Sequence, residues 1–537
     1  MSETLYISKF DETHVRVTGD QAALREMSDR FTFMVPGAQF TPSFQSRYWD
    51  GKKRLFDQRS GKLYFGLHPY VKQWCDENDY ECVYEDPLDV ETAFSVTECQ
   101  RMFEALQLSR TADEGRVDLV PHDFQERAII HAIQANRSLL LSPTASGKSL
   151  IIYVLMRYYL AKTKGKVLIV VPTSNLVNQM FDDFRDYAAR LQWDVEKNCH
   201  CLHEGSEKTT EKRVVISTWQ SLAVKERLPK DLRAKMSKFQ IKEWNKKAEY
   251  IMDQKYFDDV ETVFGDEAHL FAADELSGVM TKLVNARFRI GTTGTLKDCK
   301  VNHMILEGLF GPVYQTTTTR QLIDDGQAAQ LEINILQLQY SDEERKACKK
   351  KTYQEEMDFL QSHERRNNFI CNLAMSLKGN TLVLYDKVEK HGQIIHQMIA
   401  DRLEKDRKLF FIHGEVKPDE RNKVRYIAEG ETNAIIVGSY GTYAMGVNIR
   451  NIDNVISVAT GKSKIRLFQS IGRGLRLSSR KTKMRWYDIS DDLSVWNKAH
   501  TEVHDNYSLH HLEERIAYYA QESFDYKKYK IELTDHE

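Results

Sequence analysis

No stretch of this 537-residue chain is apolar over the roughly 20 residues that a bilayer-spanning helix needs. The opening residues, MSETLYISKFDETH, lack the basic and apolar segments of a secretory signal. These absences lead to the expectation of a cytoplasmic protein with no membrane partner. The eight cysteines show no framework spacing, which excludes a disulfide scaffold and leaves reduced thiols. Cys199-His200-Cys201-Leu202-His203 has metal-binding residue types, but alternation sets Cys199, Cys201 and His203 on one strand face with no second ligand pair nearby. That reads as a strand, not a zinc site. An excess of positive charge is also missing. The chain has 76 Lys and Arg against 78 Asp and Glu, a formal net charge of −2. Any contact with nucleic acid must come from local patches.

The chain is organised around LSPTASGKS. Ser138-Leu139-Leu140-Leu141 reads as a buried parallel strand, and IIYVLMRYYL after the loop reads as a helix packed on a sheet. Between them stand Thr144, Ala145, Ser146, Gly147, Lys148 and Ser149. Strand, small-residue loop, Gly-Lys-Ser and helix form the context of a phosphate-binding loop. Backbone N–H groups and the helix dipole favour an anion there. Lys148 suits the β- and γ-phosphates of ATP, and the Ser149 hydroxyl suits Mg²⁺. Ser142 stands where the usual pattern has its first glycine. Just upstream, Phe124-Gln125 opens a helix. Its ring can stack on adenine, and its amide offers a donor and an acceptor to the base edge.

Downstream, Phe264-Gly265 leads from a strand into Asp266-Glu267-Ala268-His269. Behind a phosphate loop in one sheet, such a pair has a division of labour. Asp266 would hold Mg²⁺, and Glu267 would orient and deprotonate the attacking water. A later segment, Gln469-Ser470-Ile471-Gly472-Arg473-Gly474-Leu475-Arg476, carries two arginines three apart, which a helix would present on one face. No second phosphate loop accompanies it. Arg473 and Arg476 therefore suit the transition-state charge of the first lobe's nucleotide, a role contributing about 10³–10⁵ in rate in related sites.

Along the chain, residues 1 to 112 read as a small α/β domain. It has paired strands LYISKF and THVRVTG, a helix QAALREMSDRF, and a hairpin turning at Asp50-Gly51. Basic residues near that turn, among them Lys52, Lys53 and Arg54, interleave with aromatics such as Trp49, as contact with phosphates and unstacked bases requires. The segment from Asp86 to Gly115 reads as a helical connector. From 120 to about 318, apolar strands alternate with helices, the pattern of a parallel sheet. Residues 222 to 255 interrupt it with a basic helical insertion, nine Lys or Arg against three Asp or Glu over 225–247. From about 333 a second β/α series begins, ending in a tyrosine-rich tail over 500–530 that reads as helical. Residues 461 to 487 contain nine Lys or Arg and no Asp or Glu.

The order Phe124-Gln125, PTASGKS, VVPTSNLVNQ, STWQSL, DEAH, TGT, GTYAMGVNI, QSIGRGLR resembles helicase superfamily two over about residues 120 to 490. YWDGK, TRQLIDDGQAAQL, KTYQEE and KSKIRLFQSIGR are similar to the phage UvsW-type recombination helicases and extend the likeness over nearly the whole chain. The resemblance implies two tandem RecA-like parallel-sheet lobes with a small N-terminal α/β domain. The boundaries would be 1–112 for a DNA-binding domain, 113–318 for an ATP-binding lobe and 319–537 for a C-terminal lobe. It implies that Pro172, Thr173, Thr218, Trp219, Gln220 and Thr442 lie along nucleic acid. Thr293-Gly294-Thr295 would link ATP state to that track. Gly446 and Asn448 would approach the nucleotide, and Gln469, Arg473 and Arg476 would line its site. Two positions depart from the family pattern: His122 stands where many relatives have Arg, and Asn448 where Asp is frequent.

The activity implied is that of an ATP- and Mg²⁺-dependent DNA helicase or translocase with 3′-to-5′ polarity. Its substrates would be branched DNA in recombination, repair and replication: forks, Holliday-type junctions, D-loops and the RNA–DNA hybrids of R-loops. Single-strand-binding and recombination proteins are the partner classes such a role admits. If phage-encoded, it would act in the host cytoplasm. Three other readings compete. An RNA helicase would carry larger C-terminal domains than the roughly 50 residues here. A non-catalytic nucleic-acid-binding scaffold would not need Lys148, Asp266, Glu267 and Arg476 together. A restriction motor would need nuclease acids that the sequence does not display.

Overall fold

The protein is described here as a computed structural model. It describes the chain apart from residues 1–3, 89–90, 113–114, 192, 204–205, 223–235, 238–239, 241–253, 405–406, 415, 417, 446–448, 450, 459–460, 479, 497–502 and 534–537. The chain divides into two compact units. Met1–Ser142 with Gly147–Thr316 form the first, and Pro143–Ser146 with Thr317–Glu537 form the second. Among the described residues no helix is long and apolar enough to cross a membrane. The basic insertion expected over 222–255 lies mostly outside the described residues.

The first unit contains a seven-stranded sheet in the order Cys199–Leu202, Val214–Thr218, Lys166–Val171, Val260–Asp266, Phe288–Thr293, Arg137–Leu141, Val313–Gln315. Every neighbouring pair is parallel. Its central strands are apolar and buried on both faces, as helices on both sides require. The helix Lys148–Lys162 shows the same logic. Leu150 through Met156 are all buried, so it is covered all round rather than along one stripe. Cys199–Leu202 is an edge strand with free cysteines, and among the described residues no cluster of metal-ligating side chains exists.

The second unit repeats the architecture. Its sheet order is Leu409–Ile412, Ile435–Ser439, Thr381–Tyr385, Asn454–Ser457, Lys483–Asp492, Gln330–Gln339, Tyr526–Glu532, again all parallel. The tail was expected to be helical. Its helix is Tyr507–Gln521, and Tyr526–Glu532 instead adds the sheet's edge strand. The helix face is fixed by buried ions. Arg515 donates to Asp488 at 2.9 Å, and Tyr519 donates to the same carboxylate at 2.7 Å. Arg366 donates to Asp491 at 2.8 Å, with the Tyr340 hydroxyl also donating at 2.7 Å.

Residues at the N-terminus form a five-stranded sheet in the order Phe56–Asp57, Lys62–Tyr64, His14–Gly19, Thr4–Lys9, Glu81–Tyr84. The hairpin expected at Asp50-Gly51 is not there. Lys52–Arg54 pairs with Thr32–Met34, and the segment before Asp50 contains the short helix Pro42–Gln45. The tight turn is instead at Asp57 to Gly61, where Gly61 has φ +68° and an added Cβ would lie 2.5 Å from the Val17 carbonyl oxygen. The connector is likewise only partly helical. Val96–Leu106 is a helix, and Ser109–Ala112 pairs with Gly115–Asp118.

This N-terminal sheet shares one apolar core with the large sheet of its unit. Leu5, Val17, Phe65 and Trp74 belong to the same buried cluster as Leu139, Ile305 and Phe310. The contact is close. An added Cβ on Gly66 would sit 2.0 Å from the Glu307 carbonyl oxygen, and Tyr70 donates to the Glu307 carboxylate at 2.5 Å. Arg137 pairs with Glu12 at 2.6 Å and lies 3.9 Å from the centre of the Phe65 ring.

Candidate nucleotide site and nucleic-acid interface

Strand register sets the site. Leu141 stands beside Thr293, Asp266 beside Thr292, Gly265 beside Val170, and Thr218 beside Val171. The phosphate-loop segment, the acidic pair, Thr293 and the Pro172-Thr173 and Thr218-Trp219 segments thus leave one sheet at one edge. That carboxyl edge is where open α/β sheets bind ligands.

The loop leaves the sheet with the Ser142 N–H donating to the Thr293 carbonyl at 2.8 Å. Ala145 and Gly147 both have left-handed backbones, φ +71° and +77°. At Gly147 a side chain is excluded twice, because an added Cβ would lie 2.4 Å from Gln125 Nε2. The Ser146 hydroxyl donates to the Pro143 carbonyl at 2.7 Å. Lys148 begins the helix, and its ammonium donates to the Ser142 carbonyl at 3.3 Å, folding back over the loop. Ser149 Oγ lies 3.0 Å from the hydroxyl of Tyr187, a neighbour the sequence did not single out.

Asp266 ends its strand and accepts from the Thr292 hydroxyl at 2.9 Å. Burial, then the adjacent Glu267 carboxylate, push its pKa upward, while Lys148 opposes the shift. Lys148 and the acidic pair therefore share one electrostatic field. A carboxylate held in this state gains from a cation. Ser149 and Asp266 offer oxygen donors only, which fits a hard ion that keeps several of its waters, as Mg²⁺ does. Glu267 adopts a left-handed backbone, φ 50° and ψ 51°. Its Oε2 is 3.3 Å from His269 Nδ1, and that nitrogen is 2.9 Å from Thr293 Oγ1. The Thr293 hydroxyl donates to the Thr295 carbonyl at 3.2 Å, so its oxygen accepts from His269. His269 thereby joins Glu267 to the Thr293-Gly294-Thr295 segment.

Phe124 and Gln125 differ from expectation. The Phe124 ring is buried and stacks on His122, with centroids 5.6 Å apart. Gln125 Oε1 accepts from the His122 N–H at 2.9 Å and its amide nitrogen lies against Gly147. In this structure the pair caps its helix and braces the phosphate loop. Of the residues expected along nucleic acid, Thr173 caps the helix Ser174–Ala188, and Thr218 is buried with its hydroxyl 2.9 Å from that of Ser221. Pro172 and Trp219 are half-buried and Gln220 is exposed.

In the second unit, Gln469 and Arg473 lie on the helix Lys464–Gly474. Arg476 does not. The helix stops at Gly474, and Arg476 follows two residues later, outside any helix or strand. Burial pushes the pKa of the nearby Tyr443 hydroxyl up to about 12, and the positive charges of Arg473 and Arg476 both oppose that shift. Buried Lys481 donates to the Gly474 carbonyl at the helix end. Tyr443 and Lys481 carry no motif signal and emerge only from packing. Thr442 is buried, its Oγ1 accepting from the Ser439 hydroxyl at 2.8 Å. Gly446 and Asn448 lie outside the described residues.

The basic N-terminal segment is internally engaged. Lys53 pairs with Asp274, Arg54 with Asp50, and the Trp49 indole donates to the Lys52 carbonyl at 2.9 Å. Lys52 is exposed.

Three family models match the chain: "DNA helicase UvsW, N-terminal" over residues 6–85, "Type III restriction enzyme, res subunit" over 118–298, and "Helicase conserved C-terminal domain" over 365–478. The "ATP-dependent DNA helicase uvsW" of Enterobacteria phage T4 is 33% identical over 530 residues, covering 97% of this chain and 98% of that protein. The chain belongs to the UvsW family of helicases. The crystal structure of T4 UvsW aligns over 99% of this chain and 100% of its own, at 30% identity and a TM-score of 0.49. The type ISP restriction-modification enzyme LlaBIII, solved bound to DNA, shares the fold at 14% identity and a TM-score of 0.53, over 86% of this chain and 34% of its own. The two parallel-sheet lobes hold the segments that the two helicase models match, and the small N-terminal sheet holds the segment that the UvsW model matches.

Proposed function

We propose that this UvsW-family chain hydrolyses ATP to drive 3′-to-5′ movement that remodels branched DNA: forks, Holliday-type junctions, D-loops and R-loops. One observation carries the chemical part. Lys148, Asp266 and Glu267 meet at one sheet edge, with His269 bridging Glu267 to Thr293. Lys148 and the loop N–H groups bind and orient the phosphates. Asp266 and the Ser149 hydroxyl would hold Mg²⁺, which supplies charge neutralisation at the phosphates when bound. Glu267 orients the attacking water and takes its proton as the bond to phosphorus forms. Gln469, Arg473 and Arg476 are assigned to sensing the γ-phosphate and stabilising its charge in the transition state. Phe124 and Gln125, with Ala145 and Gly147, shape the loop.

DNA as the substrate is supported by the name of the T4 relative, a DNA helicase. Pro172, Thr173, Thr218, Trp219, Gln220 and Thr442 are assigned to the nucleic-acid side. Their assigned contacts are to the nucleic-acid backbone, which carries no sequence information, so binding independent of sequence is expected. Host cytoplasm is the proposed compartment, and single-strand-binding and recombination proteins the proposed partner classes. The test compares ATP-dependent unwinding of forks, Holliday junctions, R-loops and plain duplex with ATPase stimulation by single-stranded RNA. Strong stimulation by RNA alone would sink the assignment to DNA.

A further inference from the structure

The N-terminal sheet has two faces. Leu5, Ile7, Val15, Val17 and Leu63 turn inward to the core. By strand alternation Tyr6, Arg16 and Lys62 turn to the opposite face. Arg16 and Lys62 stand directly opposite each other on paired strands. Like charges so placed repel and destabilise a sheet. Among the described residues neither makes an ion pair. Asp57 is the register partner of Lys62 on its other side, but its carboxylate accepts from the Arg59 N–H at 3.1 Å and the Ser60 hydroxyl at 2.6 Å. Glu81, at the far edge, accepts from the Thr4 hydroxyl at 2.9 Å.

Aromatic rings complete the patch. Phe10 folds back from the first turn so that Lys62 Nζ lies 3.7 Å and the Arg16 guanidinium 4.9 Å from its ring centre. Phe10 and Tyr6 are each 41% exposed. Two cations on neighbouring strands without an ion-pair partner, flanked by two accessible rings, match the repeating chemistry of an unpaired nucleic-acid strand. Phosphates meet the cations, and bases stack on the rings. A folded duplex hides its base faces, so rings would add nothing to its binding.

We infer that this open face, centred on Tyr6, Phe10, Arg16 and Lys62, binds the single-stranded arm of the DNA substrate. The inference rests on the reading that the N-terminal domain contacts DNA, and moves that contact from the Trp49–Arg54 segment to the sheet. The shared core and the Gly66–Glu307 contact carry the face with the first lobe as one body.

The test uses the full chain in three variants: R16A/K62A, Y6A/F10A and, at the other segment, W49A/K52A/R54A. Anisotropy titrations use labelled oligo-dT and a blunt duplex of equal length across a salt series. Thermal melts establish that each variant is folded. R16A/K62A is expected to reduce the salt slope for oligo-dT by about 1.4, roughly 0.7 per lost phosphate contact. Y6A/F10A is expected to weaken oligo-dT binding by roughly 5- to 100-fold and duplex binding far less. An unchanged slope and affinity in both sheet variants overturns the inference. If W49A/K52A/R54A alone then loses binding, the domain still contacts DNA, by the other segment. If no variant loses binding, the reading of the domain falls as well. Loss of binding to phosphatidylserine vesicles by R16A/K62A, with oligo-dT binding intact, would assign the face to anionic membrane and overturn the inference.

Discussion

Replacing Glu267 with Gln separates binding from chemistry at this site. The side chain keeps its length, and the left-handed backbone at φ 50° is already tolerated by a non-glycine residue. His269 Nδ1 must donate, because the Thr293 hydroxyl is committed to the Thr295 carbonyl. The Gln side-chain oxygen can lie 3.3 Å from that nitrogen, where the carboxylate oxygen lies now. What is lost is a base and a negative charge. Removing a general base costs about 10²–10⁴ in rate, or roughly 3–5 kcal/mol of barrier. Removing the charge takes away one of the two influences that push Asp266 upward, leaving burial alone. Asp266 then ionises more readily, so ATP with Mg²⁺ should bind as tightly as in wild type or slightly tighter. Steady-state ATPase at saturating DNA and titration of a fluorescent ATP analogue read the two quantities. A kcat within ten-fold of wild type, or an ATP affinity that falls in parallel with kcat, would refute the reasoning.

Other perturbations follow from the same geometry. Asp266→Asn should raise the melting temperature of the metal-free protein at neutral pH. A carboxyl whose folded pKa lies above its unfolded value costs stability as pH rises through that interval, so the gap between variant and wild type should open from about pH 4 upward. Mg²⁺ should then stabilise wild type and not the variant, as differential scanning fluorimetry would show. Thr293→Val removes the acceptor for His269. It should cost about 1–3 kcal/mol of stability and weaken stimulation of the ATPase by DNA, with ATP affinity kept. Arg366→Ala leaves the fully buried Asp491 short of its main partner and should cost about 3–5 kcal/mol in the second unit, read by chemical denaturation. Gly66→Ala places a methyl group where the Glu307 carbonyl oxygen already lies. It should lower the melting temperature by overpacking of about 1–3 kcal/mol or more.

The parallel sheets were legible because their signal is local. Runs such as Val167 to Val171 and Leu382 to Tyr385 are apolar on both faces and bounded by loops, so length and residue type suffice. The strand, loop and helix from Arg137 to Lys162 were legible for the same reason, all three lying within one short segment. Misreadings arose where distant chain decides. Asp50-Gly51 has hairpin chemistry, yet Lys52–Arg54 finds its partner at Thr32–Met34, and the neighbouring residues cannot also pair there. Tyr526–Glu532 alternates little in burial, being an edge strand, and looks like the end of the helix before it until Gln330–Gln339 offers a ladder. Arg476 follows Arg473 by a helical interval, but the Gly474 carbonyl is taken by Lys481 and the helix ends there. Phe124 has the right chemistry for a base. Its burial against His122 depends on a packing direction that residue type does not encode.

Hydrolysis at Lys148, Asp266 and Glu267 is proposed to drive the remodelling of branched DNA. The most direct measurement is a gel-resolved strand-exchange assay on a labelled Holliday junction, a fork and a plain duplex, with wild type and Lys148→Ala side by side. ATP-dependent resolution of the junction and fork by wild type is the expected outcome, with none by Lys148→Ala. Junctions left intact by wild type under conditions where it hydrolyses ATP, or equal activity from Lys148→Ala, would contradict it.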